Sequence, residues 1–200
     1  MHKPLFITGI GTGIGKTIVS AVVVESLKAD YWKPVQSGDL DNSDTLKVKG
    51  LVSNNVSVFH NEAYRLTQPF SPHKSADLDG IVINPAEINA PETNNRLIIE
   101  GAGGLMVPLN NDFLMVDLIE QLAAEVILVV KHYLGSINHT LLSLDVLKNR
   151  NIPVRAIIFN GGTDAYSEDV IKKYAKCECL HIPELETINK ESIAQQKINL

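Results

Sequence analysis

Continuous apolar runs alternate with amphipathic stretches along most of the chain. The runs at residues 5–7 (LFI), 96–100 (RLIIE), 126–130 (VILVV) and 154–159 are apolar on both faces. That pattern predicts strands covered on both sides. Between them, residues 16–29, 116–124 and 166–176 carry helical spacing. So does a stretch from Leu134-Gly135-Ser136 to Arg150, with Leu141, Leu144 and Leu147 on one face. Shorter strands are predicted at 31–33 and 180–182. Ser43 caps a helix carrying Leu46 and Val48, and the tail beyond Asn189 reads as helical. Residues 54–91 hold several prolines and little periodicity, and predict loops and short helices. The whole reads as one α/β domain over residues 1–200, a mainly parallel sheet with helices on both faces.

Ligands of such folds sit at the carboxyl ends of the strands. The polar motifs of this chain fall there: Lys16 after the first strand, Ser37 after the second, 100–104 after a third, Ser136 and Asn160 after later ones. The richest is LFITGIGTGIGKTIVS, residues 5–20. A strand, a glycine loop, Lys16-Thr17 and a helix form a phosphate cradle, in which loop N–H groups and a helix N-terminus face the oxyanions. Lys16 would reach the β- and γ-phosphates, and the Thr17 hydroxyl a Mg²⁺ ion. The spacing departs from the strict motif, with Ile10 at its first glycine and Gly9 and Gly11 on either side. Thr8-Gly9 with Gly13-Ile14-Gly15 also spells the TGxxxGxG of short-chain dehydrogenases. That reading needs a Tyr with a Lys four residues on, and none of Tyr31, Tyr64, Tyr133, Tyr166 or Tyr174 has one. It also leaves Lys16-Thr17 unused. The predicted fold is therefore a single P-loop NTPase-like domain, with a nucleoside triphosphate at Gly13, Ile14, Gly15, Lys16, Thr17 and Ile18.

Composition narrows the field. Hydrophobic residues make up 44% and charged residues 20%, which suits a globular chain with a core. The net charge of −5 argues against a nucleic-acid surface. No apolar segment reaches the ~18 residues of a membrane span. Met1-His2-Lys3-Pro4 leads directly into the first strand without a signal peptide, so the cytoplasm is expected. Cys177 and Cys179 form a lone C-x-C without further ligands at zinc spacing, and are expected as reduced thiols. His60, His73, His132 and His139 show no ligand spacing.

Lys33 ends a short strand before Pro34. It suits charge neutralisation on a transferring phosphoryl group, and equally a lysine snorkelling at a sheet edge. Ser37-Gly38 is expected in a tight turn, offering a hydroxyl and N–H groups to an anionic substrate. Glu100 closes an apolar strand, where a carboxylate is costly without a partner. It is the favoured metal ligand. Asp44 reads either as a second ligand or as a first-turn charge on its helix. Residues 101–104 (GAGG) read as a run that lets a ligand approach the backbone closely, or simply as a tight turn.

Taken together, FITGIGTGIGKT, YWKPVQSG, NSDTL, SPHKSA, IIEGAGGLMVPL, VILVV, LGSINHTLLS and IIFNG resemble the dethiobiotin synthetase family along nearly the whole chain. The resemblance implies a P-loop α/β homodimer with its substrate site at the interface. It implies ATP-dependent closure of a ureido ring on 7,8-diaminononanoate with CO₂, through a phosphorylated carbamate. Mg²⁺ would be bound by Thr17, Asp44 and Glu100. Lys33 and Lys16 would be catalytic, Lys33 lying between carbamate and γ-phosphate. Thr12, Ser37, Pro72 and Gly103 would line the substrate. Leu134, Gly135, Ser136 and Asn138 would reach its carboxylate tail from the partner subunit, using the free N–H groups of a helix start. Asn160 would contact the base. Gly13 stands where family members often carry Glu, and the segment after Pro183 is short for the family. Two other readings share these motifs: a switch ATPase of the partitioning or division-site type, and a non-catalytic nucleotide-binding module. The switch ATPases carry a second loop lysine where this chain has Gly11.

Overall fold

The computed structural model describes residues 3–200. The reading of the extreme amino terminus rested on Met1 and His2, which lie outside the described residues. Seven parallel strands form the main sheet: β1 (Leu5–Gly9), β2 (Asp30–Trp32), β4 (Phe59–His60), β6 (Leu97–Gly104), β7 (Glu125–Val130), β8 (Val154–Asn160) and β9 (Glu178–Ile182). Their spatial order is β4-β2-β6-β1-β7-β8-β9, so β1 sits at the centre between β6 and β7.

The apolar runs have the composition they do because the pleat sends successive side chains to opposite faces. Phe6, Ile99 and Leu128 enter one core, with Leu118 and Ile119 of α4 (Met115–Gln121), Leu147 of α5 (Ser136–Asn149) and Ile171 of α6 (Ala165–Tyr174). Leu5, Ile7, Ile98 and Ile127 enter the other, under Val19 and Val22–Val24 of α1 (Lys16–Leu27). Val48 of α2 (Asp44–Leu51) and Ile193 of α7 (Lys190–Gln195) close that face. Among the described residues, no helix is long and apolar enough to cross a membrane.

Three expectations are corrected. Residues 54–91 do hold a short helix, α3 (Pro72–Leu78), but also β4 and β5 (Tyr64–Leu66). Ser37 is not in a turn: β3 (Val35–Ser37) pairs in parallel with β5, Ser37 opposite Leu66, as a small second sheet. Residues 101–104 are not a turn either, since β6 runs on to Gly104, which pairs with Gly9. The glycines there answer to packing. A side chain at Gly101 would run into the Phe6 ring beneath it.

Candidate active site

Three strand ends open onto one cleft. The loop after β1 brings Thr12 and Gly13, and α1 begins with Lys16, Thr17 and Ile18. The segment after β2 brings Lys33, with Gln36 and Ser37 of β3 following. The middle and end of β6 bring Glu100, Ala102 and Gly103. Asp44 of α2 and Pro69, Phe70, Ser71 and Pro72 complete a cleft of about 680 Å³. Gly15 holds φ at 87°, a left-handed conformation that costs glycine little and turns the loop into the helix.

Charge in the cleft is concentrated and paired. Lys33 is 4% exposed, so it does not snorkel. Its Nζ lies 2.6 Å from Asp44 Oδ2 and 3.2 Å from Glu100 Oε1. Burial alone would lower the Lys33 pKa, but the Glu100 and Asp44 carboxylates outweigh it and hold the ammonium charged. Burial likewise works to raise the Asp44 pKa, and Lys33 reverses this and keeps it low. Glu100 is 1% exposed and has donors on both oxygens. Thr17 Oγ1 donates to Oε1 at 3.1 Å. Ser20 Oγ and Tyr31 Oη donate to Oε2 at 2.7 and 2.9 Å. Lys16 donates from Nζ to the Gly11 carbonyl at 3.0 Å. Its pKa is lowered to about 8 by burial first and by the Lys33 charge second.

The donor set tests whether Mg²⁺ fits. Among the described residues, no three His, Cys, Asp or Glu side chains gather into a metal site. Two carboxylates and the Thr17 hydroxyl do converge, all hard oxygen donors. Mg²⁺ is usually held by one or two carboxylates together with phosphate oxygens and water, so this set suits a nucleotide-bound ion.

Not every expected residue faces the cleft. Ile14 is buried, with its side chain in the α1-side core, and only its backbone borders the loop. Asn160, at the end of β8, donates from Nδ2 to the Ile14 carbonyl at 2.9 Å and so braces the loop from below. Leu134, Gly135 and Asn138 are exposed and lie outside the cleft's lining, and Ser136 is buried. The helix start is less free than expected, because the Ser136 N–H donates to the Tyr133 carbonyl at 2.9 Å. His139 Nδ1 and Tyr133 Oη are hydrogen-bonded at 2.7 Å, also outside the cleft. Cys177 and Cys179 are free thiols. Burial pushes Cys177 up to about 11, away from the reactive thiolate.

Ser20, Tyr31 and Gln36 were missed, and the first two have a signal in the sequence. Ser20 lies one helical turn from Thr17, so both face the same neighbour. Tyr31 precedes Lys33 by the strand period and shares its face. Gln36 emerges only in the structure, where its Oε1 accepts from the Asp44 N–H at 3.2 Å.

The chain matches the AAA domain family over residues 3–192. It is 53% identical to the ATP-dependent dethiobiotin synthetase BioD of Christiangramia forsetii, covering 98% of this chain and 94% of that one. The chain belongs to the dethiobiotin synthetase family. The synthetase of Cytophaga hutchinsonii is 48% identical, over 99% of this chain and 97% of its own length. That of Rhodopseudomonas palustris is 40% identical, over 96% and 92%. Among solved structures, a ParA family ATPase from Chlorobium tepidum aligns at TM-score 0.57 and 17% identity, over 98% of this chain and 91% of its own. The MinC:MinD complex of Aquifex aeolicus gives 0.52 and 16%, over 98% and 87%. These two likenesses show that this chain shares the fold of those ATPases and nothing about its activity.

Proposed function

We propose that the chain is an ATP-dependent cyclo-ligase that closes a ureido ring on 7,8-diaminononanoate with CO₂, giving dethiobiotin, ADP and phosphate. One amine adds to CO₂, forming a C–N bond and releasing a proton, to give a carbamate. A carbamate oxygen attacks the γ-phosphorus, and the bond from phosphorus to ADP breaks. The second amine then attacks the carbonyl carbon and loses a proton, and phosphate leaves with the C–O electron pair. Membership of the family carries this reading, and one observation supports its chemistry in this chain. A buried, charged Lys33 shares a single cleft with Lys16, Thr17, Asp44 and Glu100.

In this reading Lys16 binds the β- and γ-phosphates, and Lys33 faces the carbamate and the transferring phosphoryl group. Fixed positive charge in a dry site favours the transition state, where charge spreads over the phosphoryl oxygens. Thr17, Asp44 and Glu100 hold Mg²⁺, which when bound neutralises phosphate charge. Thr12, Ser37, Pro72 and Gly103 line the diamine. Leu134, Gly135, Ser136 and Asn138 of a second copy reach its carboxylate tail, and Asn160 stands by the base. The homodimer is supported by exposed Met106, Leu134 and Leu142. Met106 and Leu142 border a cavity of about 370 Å³ beside the phosphate loop. Each chain is a single domain over residues 1–200, and the enzyme works in the cytoplasm.

The test is turnover of 7,8-diaminononanoate with bicarbonate and ATP, read by product mass. Dethiobiotin with phosphate released one for one is expected. Steady ATP hydrolysis that needs no diamine would overturn the reading in favour of a switch ATPase.

A further inference from the structure

We propose that Glu62 is a positioning residue, fixing Asp44 relative to Lys33 and to a divalent cation held with the nucleotide. The proposal rests on the reading that Asp44 serves that cation. Glu62 lies between β4 and β5, in a stretch where the sequence carries no motif, yet its side chain is only 4% exposed. Its Oε1 accepts from Ser43 Oγ at 3.2 Å and from Thr45 Oγ1 at 2.7 Å. Its Oε2 accepts from Arg65 Nη1 at 2.9 Å. Ser43 and Thr45 are the two neighbours of Asp44 in the chain.

The consequence is geometric. Ser43 caps α2 by accepting from the Leu46 N–H at 3.4 Å, and its own proton goes to Glu62. The Asp44 N–H is held by Gln36, whose Nε2 donates in turn to the Gly38 carbonyl at 2.9 Å. Three successive residues of one helical turn are therefore pinned. A helix of eight residues has little stability of its own, and its first turn frays unless tertiary contacts hold it. Asp44 Oδ2 sits 2.6 Å from Lys33, an alignment that a frayed turn does not keep. A buried carboxylate that accepts from both neighbours of another carboxylate acts on the placement of that second group. Groups that orient metal-binding side chains typically change metal affinity 10- to 100-fold when lost.

The test compares Glu62→Ala, Glu62→Gln and Thr45→Val with the unaltered protein. Mn²⁺ binding in the presence of ADP is followed by electron paramagnetic resonance, and Mg²⁺ activation by dethiobiotin formation. Glu62→Ala is expected to raise both metal constants about tenfold. Rate at saturating Mg²⁺, the KM for the diamine and metal-free ADP affinity should stay close to those of the unaltered protein. Glu62→Gln keeps an oxygen for the Thr45 hydroxyl and should recover most of the loss. Thr45→Val removes one anchor and should show the same shift without deleting the carboxylate. Unchanged metal constants in Thr45→Val and Glu62→Ala would overturn the proposal. So would an equal fall in metal and metal-free ADP binding, the mark of a purely structural role. If Asp44→Asn leaves Mn²⁺ binding intact, the metal reading of Asp44 itself fails, and the proposal fails with it.

Discussion

Lys16 makes nucleotide binding a proton-linked event. The residue is 8% exposed and its pKa stands at about 8, because burial and Lys33 disfavour the charged form. Phosphate oxygens beside Nζ reverse that balance and return the group toward an ordinary lysine pKa of about 10.4. The sign follows from which form binds. Below about pH 8 the ammonium is already charged and affinity is flat. Above it, each binding event takes up a proton, and affinity falls about tenfold per pH unit. Between about pH 7 and about pH 9 the loss is about tenfold, or about 1.4 kcal/mol. Lys33 adds nothing in this window, since its two carboxylates raise its pKa. The ligand is silent at the upper end of the window, because a terminal phosphate loses its second proton at about pH 6. Titration calorimetry of ADP with Mg²⁺, in buffers of different ionisation enthalpy, counts the protons. Net uptake of about 0.9 proton at about pH 9, falling to near zero at about pH 7, is expected. Equal affinity at both, with no proton uptake, would refute the reasoning.

Two other substitutions separate support from contact. Tyr31→Phe removes one donor to Glu100 Oε2 while Ser20 keeps the other and the ring still packs near Phe59, 6.2 Å away. A loss of about 1.5–3 kcal/mol in denaturant unfolding is expected for a bond to a charged group, and an unmoved midpoint would count against it. Asn138 is exposed, so Asn138→Ala should leave stability alone and raise the KM for the diamine more than that for ATP. An equal rise in both would argue against a role at the substrate tail.

Much of this was legible in sequence because it is local. Strands apolar on both faces and helices with a 3.6-residue stripe fix a parallel sheet, whose strand ends then gather the motifs. Glu100 stood out as a carboxylate closing an apolar strand. What was hidden depends on partners distant in sequence. Tyr31 and Glu100 are 69 residues apart, and Glu62 meets Thr45 across 17. β3 and β5 have three residues each, too few for a period to emerge, and exist only because they pair. At residues 101–104 the turn alternative failed although glycine signals a turn, because here the missing side chain at Gly101 makes room for Phe6, while Ala102 and Gly103 line the cleft. Leu134 and Asn138 read as site residues only with a second copy in mind, since in one chain they face outward.

The most direct measurement is single-turnover dethiobiotin formation by Lys33→Met, with ADP binding followed in parallel. Methionine keeps the buried stem and deletes the charge that stands 2.6 Å from Asp44 and 3.2 Å from Glu100. A rate about 10²- to 10³-fold lower, as for losing one transition-state charge contact, with ADP affinity retained at saturating Mg²⁺, is the expected result. A variant that forms dethiobiotin at close to the unaltered rate would contradict the role assigned to this lysine.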